Sequence, residues 1–187
     1  MCYFATMNLR AELLRDHSAR QTRNLTDYVC SHPTYFAELL QVFWYGTPRE
    51  QQLAADVLGH VGERRPKWLV PHLAGLLAAA QPGTGYHPAV RRGVMRALQF
   101  VTVPEAWQAL AFDTCLGLLS SPAEPVAIRA YALSAAARLA APYPELAGEL
   151  LAATKKALTL SNSAALRSRA AREIPKLRSI VREVLPG

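Results

Sequence analysis

The chain has 187 residues, 51% of them hydrophobic and 19% charged, with 21 Lys/Arg against 14 Asp/Glu for a formal net charge of +7. That length and apolar content suit one domain, 1–187, with a sizeable buried core and exclude a disordered chain; Ala and Leu dominate over β-branched runs, which points to an all-α class. The longest uncharged stretch, Trp68 to Val90, is cut by Pro71, Pro82, Gly83 and Gly85 and fails as the unbroken span of about 20 apolar residues that crosses a membrane.

The opening residues, MCYFATMNLRAELLRD, lack a basic stretch followed by a long apolar run, so no export signal is indicated. Cys2, Cys30 and Cys115 are odd in number and far apart, which predicts reduced thiols in a cytoplasmic protein. A first short helix is expected from Leu9 to His17, with Leu9, Leu13 and Leu14 on its apolar face, and a second from Ser18 to Cys30 carrying Leu25, Tyr28 and Val29. From Pro33 onward the punctuation is regular. Pro33, Pro66, Pro104 and Pro144 each stand at the head of an apolar amphipathic stretch, where a missing N–H costs nothing. First (A) helices are thus predicted at Thr34 to Tyr45, Lys67 to Ala80, Glu105 to Leu119 and Glu145 to Leu160. Their expected core residues include Phe36, Leu39, Leu40 and Phe43, then Leu69, Leu73, Leu76 and Leu77, then Trp107, Leu110 and Leu118, then Leu146, Leu150 and Leu158. Turns rich in Gly, Pro, Ser or Asn follow, and second (B) helices start near Arg49, Pro88, Pro125 and Ser163. Pro175 inside the last B helix predicts a kink or a break near Glu173.

The B helices repeat. VRRGVMRALQFV at Val90 to Val101 recurs 38 residues later as IRAYALSAAARL and again as LRSRAAREIPKL. Apolar or small residues fall at one face in each copy: Val90, Val94, Leu98 and Val101; Ile128, Ala132, Ala136 and Leu139; Leu166, Ala170, Ile174 and Leu177. A fixed period near 40 residues with two helices per unit signals a stacked array, divided as 33–65, 66–103, 104–142 and 143–187 after an atypical capping pair at 1–32.

Helix pairs of this length, whose second helix opens with Val90-Arg91, Ile128-Arg129 or Leu166-Arg167, resemble HEAT repeats. The segments AVRRGVMRAL, AIRAYAL and YPELAGELLAATKKAL are similar to short bacterial HEAT-like proteins. Some of those chains carry the label adenylosuccinate lyase, but the serine-rich signature loop of that enzyme has no counterpart here. The resemblance implies a right-handed α-solenoid of about five helix pairs, with the B helices lining a concave surface that binds a protein partner without catalysis. In HEAT repeats an aspartate about six residues before the arginine pairs with it; those positions here are Gly85, Ala123 and Ser161. Arg91, Arg129 and Arg167 therefore need other partners: helix C-terminal carbonyls, a carboxylate of a neighbouring unit or, as the functional alternative, an acidic ligand in the groove.

Arg92, Arg96 and Arg172 lie opposite the buried face of the B helices, with Arg138 and Lys176 beside them, which makes these five the candidate partner-binding residues. They suit an acidic partner. The basicity is concentrated at the C-terminus, since residues 1–150 hold 13 Lys/Arg and 12 Asp/Glu whereas residues 151–187 hold 8 and 2. Nucleic acid is the alternative ligand, held weakly and in a salt-sensitive way. The corresponding enzymatic precedent, the HEAT-like DNA glycosylases, places tryptophans and an aspartate on the concave face; Trp44, Trp68, Trp107 and Asp113 match by type, but Trp107 and Asp113 point in opposing directions on one helix. No HExxH, zinc-ligand spacing, P-loop or GxSxG is present, so no metal, cofactor or catalytic constellation is expected.

Overall fold

A computed structural model describes residues 7–184. Among them the chain is helical throughout: α1 Leu9–Arg15, α2 Ala19–Ser31, α3 Pro33–Tyr45, α4 Pro48–Arg64, α5 Pro66–Leu69, a 3-10 turn Val70–His72, α6 Leu73–Ala79, α7 Pro88–Leu98, α8 Glu105–Ser120, α9 Val126–Ala140, α10 Pro144–Thr159 and α11 Ala164–Val184. The starts are set by local chemistry. Proline occupies the first turn of α3, α4, α5, α7 and α10, and Asn8, Ser18, His32, Thr47 and His87 cap α1, α2, α3, α4 and α7 by accepting backbone N–H bonds. At α4 the cap is reciprocal, with Thr47 bonded to the Glu50 N–H and Glu50 reaching back to the Thr47 N–H at 2.7 Å.

Consecutive helices pair as A and B, and the pairs stack into an all-α HEAT-like solenoid. The B helices α4, α7, α9 and α11 pack in succession on one another, while α6, α8 and α10 form the A row. Between the rows runs a single core that holds Phe36, Leu39, Phe43, Leu58, Leu77, Val90, Leu118, Ile128, Leu150, Leu166 and Leu177, all buried. Burying each such side chain contributes about 1.5–3 kcal/mol, so the stack rather than any one helix holds the fold. The α4–α7 contact is the tightest: a Cβ on Gly93 would sit 2.1 Å from the carbonyl oxygen of Ala55, and one on Gly62 would sit 2.5 Å from Cα of Ala97. Small residues there let two backbones approach where side chains would hold them apart.

The expected helices differ from the observed ones in instructive ways. The helix anticipated over Lys67 to Ala80 is interrupted, because Pro71 lacks an N–H and its ring crowds the carbonyl of Lys67, tightening Val70–His72 into a 3-10 turn. By contrast α11 runs through Pro175 without a break. Pro175 and Ala171, the residue whose carbonyl loses its partner, both face solvent, so water can satisfy that carbonyl. Leu14 and Leu110 are 52% and 42% exposed rather than buried. The apolar residues of α8 go nearly all round the helix, so periodicity does not choose a face; tertiary packing buries Ala111, Phe112, Cys115, Leu118 and Leu119 instead. The helix expected through Val101 ends at Leu98, and Val101 is buried from the extended segment that follows. Cys30 and Cys115 are buried free thiols, and Cys2 lies outside the described residues. No helix is long and apolar enough to cross a membrane among the described residues.

Candidate interaction surface on the B helices

The three arginines that open the repeats have three different environments. Arg91 on α7 reaches forward to Glu124, in the turn before α9, with Nε 3.2 Å from the carboxylate and both side chains nearly buried. Arg129 on α9 is 2% exposed and has backbone carbonyls for partners. Its Nε donates to Leu119 O at 3.0 Å and its Nη2 to Ala157 O at 3.4 Å, near the C-terminal ends of α8 and α10, where the helix dipoles are negative. Arg167 on α11 is exposed and donates to Asn162 O just before its own helix. The missing aspartates are thus replaced by a glutamate one unit ahead, by two helix ends and by a local turn.

The outward positions of the B helices carry a ladder of polar side chains that crosses from α2 to α11. Thr22 on α2 donates to Asp56 on α4 at 3.4 Å, and Asp56 accepts from Arg92 on α7 at 3.3 Å. One turn along, Arg96 lies 3.0 Å from Nδ1 of His60 and 3.6 Å from the Glu63 carboxylate. Burial, followed by the Arg96 charge, holds the His60 imidazole below its ordinary pKa, which keeps Nδ1 available as an acceptor. Arg92 and Arg96, two of the five residues selected from offsets alone, therefore face carboxylates of the preceding unit.

The other three lie at the C-terminal end. Arg138 on α9 donates to Gln99 O at the end of α7, and Lys176 on α11 lies 3.0 Å from Glu173. Both are exposed, as is Arg172, which has no carboxylate within salt-bridge reach among the described residues. Arg169, Ser134, Gln99 and Glu173 are not among the five candidates, although the outward offsets include Ser134, yet these four join the helices. Arg169 Nη1 donates to Gln99 Oε1 at 3.1 Å and to Ser134 Oγ at 2.9 Å; Ser134 Oγ donates to Glu173 Oε1 at 3.3 Å. The Arg169 guanidinium also lies over the Tyr131 ring, 5.8 Å from its centroid. Their signal in the sequence was polar residues at positions flanking the repeat's apolar face, visible as Ser134 in an otherwise alanine-rich helix. Beside this network opens a pocket of about 390 Å³ between the end of α7 and the faces of α9 and α11.

The aromatic residues considered for base recognition are elsewhere. Trp44, Trp68 and Trp107 belong to A helices and are half-buried against the core, Trp68 between Phe36 and the Arg65 guanidinium. Asp113 is an exposed residue of α8. No cluster of three or more His, Cys, Asp or Glu suited to a metal occurs among the described residues.

A family model described as a HEAT repeat domain matches residues 9–176. No curated protein and no solved structure matches the chain.

Proposed function

The chain belongs to the HEAT-repeat family, whose repeats generally mediate protein interactions, and from that premise we propose that it is a non-catalytic module that binds a protein partner through the surface of α4, α7, α9 and α11. The observation that carries this reading is the uneven charge pairing along that surface. Toward α4 the cations face Asp56 and Glu63, whereas toward α11 the exposed Arg138, Arg172 and Lys176 outnumber the one buried carboxylate, Glu173. An acidic protein surface complements that end. A cytoplasmic site goes with the buried, unbridged Cys30 and Cys115.

The experiment is affinity capture after chemical cross-linking in lysate, comparing the wild-type chain with one in which Arg138, Arg172 and Lys176 are changed to glutamate. Loss of specific cross-linked proteins from the variant supports the reading; an identical set in both removes the basic end from it. Nucleic acid is the weaker alternative, since Asp56, Glu63 and Glu173 are spread along the same surface and repel a phosphate backbone. Titration with duplex and single-stranded DNA at two salt concentrations separates the two.

A further inference from the structure

We infer that the pocket between α7, α9 and α11 is a specificity site for a short acidic peptide segment of the partner, one that carries an apolar side chain within about three residues of its carboxylate. This rests on the reading of the B-helix surface as a protein-binding face. Three features of the pocket select that chemistry.

The first is an excess of donors. Arg138, Arg169 and Lys176 line it. Each guanidinium carries five N–H donors and the ammonium three. Their hydrogen bonds go to Gln99, Ser134 and Glu173, which leaves donors unspent on the pocket side. An occupant must therefore bring acceptors, and with three cations facing one carboxylate it should bring negative charge.

The second is an apolar wall. Phe100, 36% exposed, stands in the turn after α7, and the partly buried Ile180 of α11 also lines the pocket. A ligand of charge alone would leave that wall against water; one with a Leu, Ile or Phe side chain would cover it. At about 390 Å³ the space falls in the range of about 300–1,000 Å³ typical of ligand pockets and suits one or two side chains rather than a larger body.

The third is the placement of Glu173, 8% exposed and held by Ser134 and Lys176. A carboxylate in the wall confines the positive field to the rim. A single acidic side chain can sit at that rim, while a continuous phosphate backbone crossing the pocket would be driven against Glu173 and then against Glu63 on α4.

The test is selection of a random dodecapeptide library on the immobilised full-length chain, followed by binding isotherms of the enriched peptides to wild type, Arg138→Glu, Phe100→Ser and Arg178→Glu. Arg138, Phe100 and Arg178 are all exposed, and Arg178 lies outside the pocket, so R178E controls for net charge. Far-ultraviolet circular dichroism verifies that each variant is folded. Enriched peptides should join Asp or Glu to Leu, Ile or Phe within three residues, and their affinity should fall about tenfold or more in R138E and in F100S while changing less than about twofold in R178E. No enrichment, a basic or wholly polar consensus, or wild-type affinity in R138E or F100S overturns the inference. Displacement of the peptides by a single-stranded oligonucleotide at physiological salt also overturns it, in favour of a phosphate ligand. Failure here leaves the module reading intact if cross-linked partners still depend on the basic end; absence of any specific cross-linked protein with the wild-type chain as well ends both.

Discussion

The guanidinium of Arg169 donates to the side-chain carbonyl of Gln99 at 3.1 Å across 70 residues of sequence. Gln99 closes α7 and Arg169 lies in α11, so this bond spans the intervening α9 and ties together B helices that are not neighbours in the stack. In an array whose units otherwise touch only their neighbours, such a bond adds cooperativity to the last three units.

Arg169→Ala and Gln99→Ala should each lower stability by about 1–2 kcal/mol, and the double variant by less than their sum, because each removes the other's partner. Urea denaturation of the four species measures the coupling. Strict additivity would show that Gln99 and Arg169 are not energetically joined.

The repeat arginines should separate by burial. Arg91→Ala leaves the nearly buried Glu124 without its counter-charge and should cost about 3–5 kcal/mol. Arg129→Ala strips charged donors from two carbonyls and should cost about 3 kcal/mol, whereas the exposed Arg167→Ala should stay within about 0.5 kcal/mol. Equal losses at Arg91 and Arg167 would contradict this ordering.

Gly93→Ala adds a methyl where the Ala55 carbonyl oxygen is 2.1 Å away, so α4 and α7 must move apart. Overpacking of this kind costs about 3 kcal/mol, which for a chain of this size lowers the Tm by roughly 6–12 °C. Gly117→Ala is the internal control, because a Cβ there meets nothing within 4 Å; it should be neutral or slightly stabilising by removing backbone entropy from the unfolded chain. Thermal melts that coincide for G93A and G117A would refute the close approach.

Acidification should destabilise the α4–α7 contact. The His60 imidazole is held below its ordinary 6.5, first by burial and then by Arg96, with Asp56 and Glu63 opposing and Arg64 reinforcing the shift. The unfolded chain then takes up this proton at higher pH than the folded one. The His60 contribution is complete above pH 6.5 and is lost as pH falls below that value toward the folded pKa. His72, lowered by burial, adds a loss of the same sign. The Tm of wild type should therefore fall more steeply between pH 7.5 and 5 than that of His60→Gln, which keeps an acceptor near Arg96 without titrating; parallel curves would exclude His60 as a source.

Much of the architecture was legible from periodicity. Val90, Val94 and Leu98, Ile128, Ala132 and Ala136, and Leu166, Ala170 and Leu177 recur at helical spacing, and all are buried. Their shared side of the helix follows from 3.6 residues per turn, which needs no tertiary information. Leu110 could not be placed that way, since α8 is apolar on nearly every side and only its neighbours choose which side is covered. Pro71 and Pro175 carry the same local chemistry yet differ in outcome. One sits where the chain tightens into a 3-10 turn; the other leaves its orphaned carbonyl facing water in an unbroken helix.

By itself, then, the sequence determined the helix count per unit, the repeat length, the apolar face of each B helix and the membership of arginines in its first turn. All of these depend on spacing along one chain segment, where rise and rotation per residue are constants. What answers each charge was decided only by tertiary structure: Glu124 for Arg91, Asp56 for Arg92, His60 and Glu63 for Arg96, two helix ends for Arg129, and Gln99 with Ser134 for Arg169. Most of these partners stand 28 to 36 residues away, and Gln99 stands 70 from Arg169. Coulombic and hydrogen-bond energies depend on distances of a few ångströms in space, which the stacking of one unit on the next creates and no local pattern encodes.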